Sequence, residues 1–365
     1  MPSYINAIGL ANPEHRFLQE DIAHFMIRAS SLNNEEARKL KIIYKKSGIK
    51  FRHSVLSDYG LETDFTFYNG YIADGYRPST SKRMQVYRAH AAALSIQAIT
   101  RALELSNINA NEVTHLICVS CTGMYAPGLD IDIIHGLQLK PSVYRSSINF
   151  MGCYAAINGL RLCHDICKAN SEAKVLLVCT ELCSIHFQND FTEDNLLANA
   201  LFADGAAAVI VSNNKTNTTR FEIQHFYNTI ASEGSKDMAW QIGDTGFEMK
   251  LSAYVPEIIA EGIERFIQDL LLSAGMAHKG VEHYAIHPGG IKILERIESS
   301  LGLSKAANQY AYKVLENYGN MSSATILFVL DELCKNIPVN KKDEQVLGLA
   351  FGPGLTLESM LLKTV

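Results

Sequence analysis

The chain lacks the marks of a membrane, secreted or nucleic-acid-binding protein. No window approaches the roughly 18 uncharged apolar residues that a transmembrane helix needs; the run Ala206-Ala-Ala-Val-Ile-Val211 is only strand length. The amino terminus, Met-Pro-Ser-Tyr-Ile-Asn, has no basic region followed by an apolar stretch, so no secretory signal is read and the expected compartment is the cytoplasm. Charge of one sign is missing too. With 33 basic against 38 acidic residues and a net charge of -5, no global field attracts nucleic acid. Metal-ligand spacing is scarce: Cys118-x-x-Cys121 has no second pair with suitable histidines, so no metal is expected. Charged residues make up 19% and hydrophobic ones 47%, a balance that excludes disorder and suits a large buried core.

Eight cysteines are present, seven of them within positions 118 to 183 on segments that look like core strands and helices. That clustering is unlike a secreted disulfide framework. The 365 residues contain no linker-like break. The least apolar stretch, Ser212-Asn-Asn-Lys-Thr-Asn-Thr-Thr219, marks the expected junction between two halves, residues 1–212 and 213–365.

What is present is one layout used twice. Val113-Thr-His-Leu-Ile-Cys-Val-Ser-Cys121 is followed by Met-Gly-Cys153-Tyr-Ala-Ala, and Val281-Glu-His-Tyr-Ala-Ile-His287-Pro-Gly-Gly290 by Asn320-Met-Ser-Ser-Ala. Two halves related this way can meet face to face and bring Cys153, His287 and Asn320 together. Residues 1 to 110 read as mostly helical, with a helix over Met84 to Leu105. Strands are expected over His115 to Ser120, Lys174 to Cys179, Ala206 to Ser212, Phe221 to Thr229, Glu282 to Ile286 and Gln345 to Phe351. Long helices are expected over Val255 to Ala274 and from Ser322 through Cys334. Strands covered by helices throughout imply layered α/β architecture.

Cys153 falls at a strand-to-helix turn, where Gly152 permits a tight backbone and the helix amino end should favour a thiolate. His287 follows a strand and precedes Pro288-Gly289-Gly290, which no helix interior tolerates; it is the candidate base. Asn320 opens the second half's helix, where its amide can cap the helix or donate to a developing carbonyl anion. Cys-His-Asn without a carboxylate partner suits acyl-thioester chemistry other than hydrolysis.

These residues resemble the type III polyketide synthases, relatives of plant chalcone and stilbene synthases within the thiolase-like condensing enzymes. The nucleophile segment is Phe150-Met-Gly-Cys153-Tyr-Ala-Ala and the histidine segment Ala285-Ile-His287-Pro-Gly-Gly290. Tyr318-Gly-Asn320-Met-Ser-Ser and the closing loop Phe351-Gly352-Pro353-Gly354-Leu-Thr complete the set, in order and over nearly the whole chain. The resemblance implies a duplicated five-layer αβαβα fold and a homodimer. It also implies coenzyme A thioesters as substrates, an acyl-CoA starter and malonyl-CoA, with no tightly bound cofactor. By it Cys153 holds the growing chain, His287 sustains the thiolate and assists decarboxylation, and Asn320 holds the malonyl carbonyl and enolate. Phe202 and Phe247 match gatekeeping phenylalanines. Lys39 and Lys46 match positions that meet coenzyme A phosphates, while a third basic position is Ile42 and Lys292, beyond Gly289, could supply a replacement charge.

Cys121, Thr122, Cys183, His186, Met238 and Ser322 are read as further cavity positions, and Gly352, Pro353 and Gly354 as the loop that shapes cyclisation. His186 and Cys183 replace threonines of chalcone synthase and Met238 replaces a glycine, which argues against an aromatic flavonoid route. An alkylpyrone, alkylresorcinol or acylphloroglucinol from an aliphatic starter is expected instead. Two other readings stay open: a single-round β-ketoacyl synthase served by an acyl carrier protein, and a non-catalytic homologue acting as scaffold.

Overall fold

Why a first half that reads as helical carries a central strand is explained by where that strand lies. The computed structural model describes residues 1–68, 77–231, 234, 236–252, 254–276 and 280–365. It opens on β1 (Ser3–Ala11), buried along nearly its whole length. A strand covered on both faces loses the alternation that betrays a half-exposed one, so the expectation of a mostly helical start misses it. Two short strands, β2 (His15–Leu18) and β3 (Phe51–Ser54), pair antiparallel beside it. The helices α1 (Gln19–Ala29), α2 (Asn34–Lys46) and α3 (Thr80–Ser106) supply the expected helical part. Asn33 and Glu36 cap α2 reciprocally in a capping box.

The rest of the first half alternates strand and helix: β4 (His115–Ser120), α4 (Leu129–Leu137), β5 (Tyr144–Asn149), α5 (Ala155–Ala169), β6 (Lys174–Leu182), α6 (Glu193–Leu201) and β7 (Asp204–Ser212). The second half adds β8 (Phe221–Ile230), a separate hairpin of β9 (Met238–Gly243) and β10 (Gly246–Leu251), and α7 (Val255–Ser273). It continues through β11 (His283–Ile286), α8 (Ile291–Leu301), α9 (Gln309–Tyr318), α10 (Thr325–Asn336), β12 (Gln345–Gly352) and β13 (Thr356–Thr364). The sheet order is β11-β12-β13-β8-β1-β7-β6-β4-β5. It consists of two half-sheets joined where Ser3, Tyr4 and Ile5 of β1 pair with Ile223, Glu222 and Phe221 of β8.

Period-two alternation sorts the side chains into layers. Leu116 and Cys118 of β4, Leu176 and Val178 of β6, and Ala206, Ala208 and Ile210 of β7 pack with α1, α2 and α3. Their neighbours Ile117, Val119, Val175, Leu177, Ala207 and Val209 face the other way, onto α5 and α10. In the second half Val346, Ala350, Met360 and Leu362 join that same middle layer, whereas Leu347, Leu349 and Leu361 face α7 and α8. Three helical layers therefore alternate with two sheet layers, and α5 and α10 lie at the centre. Close approach makes this possible in one place by glycine: a Cβ on Gly9 of β1 would overlap the Ala98 carbonyl and Ala102 amide of α3.

The repeat is imperfect. The first half leads into its central helix from edge strand β5, whereas helix α9 holds that place in the second half. Both leads end alike, in a single 3-10 turn, Gly152–Tyr154 before α5 and Ser322–Ala324 before α10. Those two turns, with the end of β11, carry the candidate site.

Candidate active site

Cys153 sits in the turn that starts α5, and the closing loop fixes that turn from above. Gly152 has φ +82, and a Cβ there would overlap Pro353 Cδ. Its N–H donates to Cys121 Sγ at 2.9 Å. A Cβ on Gly352 would overlap the Tyr154 ring. Glycine is thus demanded at 152 both by backbone conformation and by contact.

His287 follows β11, its N–H donating to Leu349 O at 2.8 Å, and Gly289 N–H returns to His287 O at 2.9 Å. Asn320 is held across the two halves: its N–H donates to Leu201 O and its carbonyl accepts from Ala203 N–H, both at 2.9 Å, bridging Phe202. Its Oδ1 accepts from Ser322 N–H at 2.9 Å, and its Nδ2 donates to Gly289 O at 3.3 Å. The amide therefore caps the turn with its oxygen while its nitrogen faces the histidine segment. Cys153 Sγ lies 3.9 Å from Asn320 Oδ1 and 3.9 Å from Ser322 Oγ.

One cavity of about 620 Å³ is lined by Cys153, His287 and Asn320 together with Cys121, Thr122, Cys183, Phe202, Met238, Ser322, Gly289 and Pro353. Gly352 and Gly354 flank Pro353 outside its lining. Phe247 and His186 line a neighbouring space of about 430 Å³ that shares Cys183, Phe202, Trp240 and Met249 with the first. A third, apolar groove of about 860 Å³ carries Lys46 and Lys292 on its rim and meets the Cys153 cavity at Leu251, Gly289 and Ile293. Lys39 is exposed further along α2, 5.9 Å from the Phe191 ring, and lines none of the three. Ile42 is 47% exposed and lines the groove where a third charge was missing.

Burial governs the electrostatics. It pushes the Cys153 thiol up to about 12, outweighing the opposing effect of the polar contacts with Ser322 and Asn320, and pushes the His287 imidazole down to about 3. The lowering expected from the α5 amino end does not prevail: dehydration of a fully buried thiolate is the larger effect. Both ring nitrogens of His287 are buried and have no hydrogen-bond partner among the described residues. A buried imidazole without a partner is costly, and here it shares a cavity with a nucleophile.

Sequence reasoning passed over two groups. Glu181 is fully buried and accepts from Cys121 N–H at 2.9 Å, from Thr122 Oγ1 at 2.8 Å and from Ser323 Oγ at 2.5 Å. Burial raises it to about 7. An acid inside the apolar run Lys174 to Leu182 was the available signal. Trp240 donates from Nε1 to Cys121 O at 2.6 Å, a partner 119 positions away that no local pattern indicates. Among the described residues no group of three or more His, Cys, Asp or Glu side chains could hold a metal ion, and no helix is long and apolar enough to cross a membrane.

Duplicated α/β layers with cysteine, histidine and asparagine converging between them are the architecture of the thiolase-like condensing enzymes. The chain belongs to the chalcone and stilbene synthases: the family's N-terminal domain matches residues 2–215 and its C-terminal domain residues 222–365. It is similar to the crystal structure of the C-terminal type III polyketide synthase domain of Steely1, a type I/III hybrid from Dictyostelium. That match has a TM-score of 0.90 at 30% identity and covers 100% of both chains. It is also similar to PKS-I from the brown alga Ectocarpus siliculosus, with a TM-score of 0.92 at 28% identity over 100% of this chain and 98% of that one. A curated relative, probable polyketide synthase 1 of Dictyostelium discoideum, is 32% identical over 373 residues; the chain spans 11% of its length.

Proposed function

We propose that the chain is a type III polyketide synthase that loads an acyl group from acyl-CoA onto Cys153 and extends it by repeated condensation with malonyl-CoA. The observation that carries this reading is the unpartnered, buried imidazole of His287 in one cavity with Cys153 and Asn320. Transfer of the thiol proton to His287 gives a thiolate and an imidazolium that compensate each other where neither is stable alone. The thiolate attacks the starter carbonyl and coenzyme A leaves with a proton. Malonyl-CoA then loses carbon dioxide, and the electron pair of the broken bond becomes an enolate on the thioester oxygen. The remaining N–H of the imidazole, neutral again once its proton has left with coenzyme A, and the Asn320 Nδ2–H stabilise that oxygen. The enolate carbon attacks the Cys153 thioester and the thiolate is released, ready to take back the lengthened chain. A largely apolar, buried cavity favours loss of carbon dioxide over hydrolysis by limiting water.

Coenzyme A would enter by the groove whose rim carries Lys46 and Lys292, and Gly289 lies where groove and cavity meet. Lys39 would extend the charge along the α2 face, while Phe202, on the shared wall, and Phe247 behind it would serve as gates. The exposed edge strand β5, with Tyr144 71% exposed and Met124 44% exposed nearby, supports a homodimer formed on that edge. All eight cysteines are free, which suits the cytoplasm, where coenzyme A thioesters are made. Met238 on the cavity wall and the histidine at position 186 support an aliphatic starter leading to an alkylpyrone, alkylresorcinol or acylphloroglucinol. Purified protein incubated with radiolabelled malonyl-CoA and starters from acetyl to palmitoyl, plus aromatic ones, tests the reading. Products longer by two or more two-carbon units support it. A single added unit would point to a one-round synthase, and neither extension nor decarboxylation to a scaffold.

A further inference from the structure

Along α2 the chain gathers positive charge on one face. From Arg38 to Lys50 the sequence has six basic residues and no acidic one, in a protein whose net charge is -5. All six are exposed, and none forms an ion pair with a carboxylate among the described residues. The acids that open the helix lie before this run, and Glu36 there accepts the Asn33 N–H at 3.0 Å. Leu40 and Tyr44 turn inward. At 3.6 residues per turn, Arg38, Lys39, Lys41, Lys45 and Lys46 then share an arc of about 160° on the opposite side, with Ile42 in their midst. Arg38 with Lys41, and Lys41 with Lys45, stand three and four residues apart, where like charges destabilise a helix unless something anionic offsets them.

The same face meets the apolar groove. Ile42 and Lys46 line it from α2, Lys292 from α8, and Val255 and Pro256 from α7. Tyr254, the residue before Val255, is 71% exposed, and Ile42 is 47% exposed. Arg38, Lys39, Lys41 and Lys45 lie outside the groove, spread over about 10 Å of helix. A ligand confined to the groove leaves those four cations unanswered; an extended anionic surface does not. Cations set around exposed isoleucine and tyrosine are the arrangement that seats a protein on a bilayer, the charges meeting headgroups while the apolar side chains enter the boundary beneath them. The exposed Ile42 and Tyr254, and the apolar lining that continues inward from them, favour a lipid surface over an acidic protein. We infer that the α2 face docks on an anionic phospholipid bilayer, with the mouth of the groove turned toward it. The inference rests on the proposed function only for its purpose: an aliphatic acyl-CoA and an apolar product both partition into a bilayer, and the groove meets the Cys153 cavity at Leu251, Gly289 and Ile293.

Flotation of the whole chain with lipid vesicles tests this and needs no substrate, so the result stands even if no polyketide is ever made. Vesicles of phosphatidylcholine with about 30% phosphatidylserine should bind the protein, whereas phosphatidylcholine alone should not. Binding should weaken as added salt shortens the screening length. The variant Arg38→Gln/Lys41→Gln/Lys45→Gln removes three exposed cations that line no cavity and keeps good helix formers in their place. It should bind about 100-fold more weakly, at roughly fivefold per charge. Lys341→Gln/Lys342→Gln, exposed at the opposite end of β12 from Pro353, should bind as the parent does. Tyr254→Trp adds a second tryptophan to the chain, and its emission should shift to the blue on the anionic vesicles. No binding to anionic vesicles would overturn the inference, and retention on an acidic carrier protein instead would assign the face to a protein partner. Binding that the triple variant keeps in full, or Tyr254→Trp emission that does not move on binding, would put the contact on another face and overturn it as well.

Discussion

Removing the His287 imidazole should leave Cys153 a sluggish thiol, and the size of the loss can be worked out. Burial, the largest influence on it, holds the thiol at about 12. At pH 8 such a group is a thiolate about once in 10,000 molecules, against roughly one in four for an ordinary thiol near 8.5. A more basic thiolate is a better nucleophile, which returns about 30-fold if reactivity rises with a Brønsted slope of about 0.45. His287→Ala should therefore react with iodoacetamide roughly a hundredfold more slowly than an ordinary thiol, before any loss from restricted access. Its rate should climb with pH without a plateau up to about 10, because a raised thiol pKa keeps the reactive form scarce until then. The parent should react fast near neutrality, with a plateau that falls away in acid as the thiolate of the pair is protonated. Mass spectrometry of the Cys153 peptide isolates this signal from the other seven cysteines. A variant that labels as fast as the parent, with the same pH profile, would show that His287 does not make the thiolate.

Other consequences can be measured on the same protein. Gly152→Ala forces a Cβ into Pro353 at a φ of +82 and should abolish Cys153 reactivity or folding, whereas Gly262→Ala in α7, with nothing within 4 Å, should leave labelling alone. The control should also raise thermal stability by roughly 0.5–1 kcal/mol, as alanine does for a helical glycine. Glu181 is raised to about 7 in the folded chain, so its contribution to stability is full below its unfolded value near 4.5 and is lost as pH rises through 7. Thermal unfolding should show a loss of about 3 kcal/mol across that window that Glu181→Gln removes; a variant with the parent's slope would assign the loss elsewhere. Met238→Gly should shift products toward bulkier starters or one further extension in a graded way, since an apolar pocket discriminates one methylene by about 1 to 3 kcal/mol. An unchanged product distribution in a folded variant would place Met238 away from the growing chain.

The parts of the site that were legible in the sequence are those whose signals are local. Cys153 was marked by Gly152 before it and an apolar helix after it, His287 by a proline and two glycines, and Asn320 by its place before a helix. The strands β4, β6 and β12 read correctly because apolar runs of strand length are bounded by turns. β1 was hidden because burial on both faces erases alternation. What brings His186 against Thr122, or Trp240 against Cys121, is the stacking of whole layers, and no spacing records it. The thiol's charge was misjudged for a related reason: a helix end is visible in sequence, but complete dehydration becomes visible only when both halves have closed around the group.

A polyketide that grows on Cys153 by repeated rounds can be trapped there as a covalent ladder. The protein would be incubated with malonyl-CoA and an aliphatic acyl-CoA, quenched in acid within seconds, digested, and the Cys153 peptide weighed. The expected result is a set of masses on that peptide, the starter acyl mass followed by at least two increments of one two-carbon ketide each, absent from Cys153→Ala. A peptide carrying only the starter, or a ladder on any other residue, would contradict it.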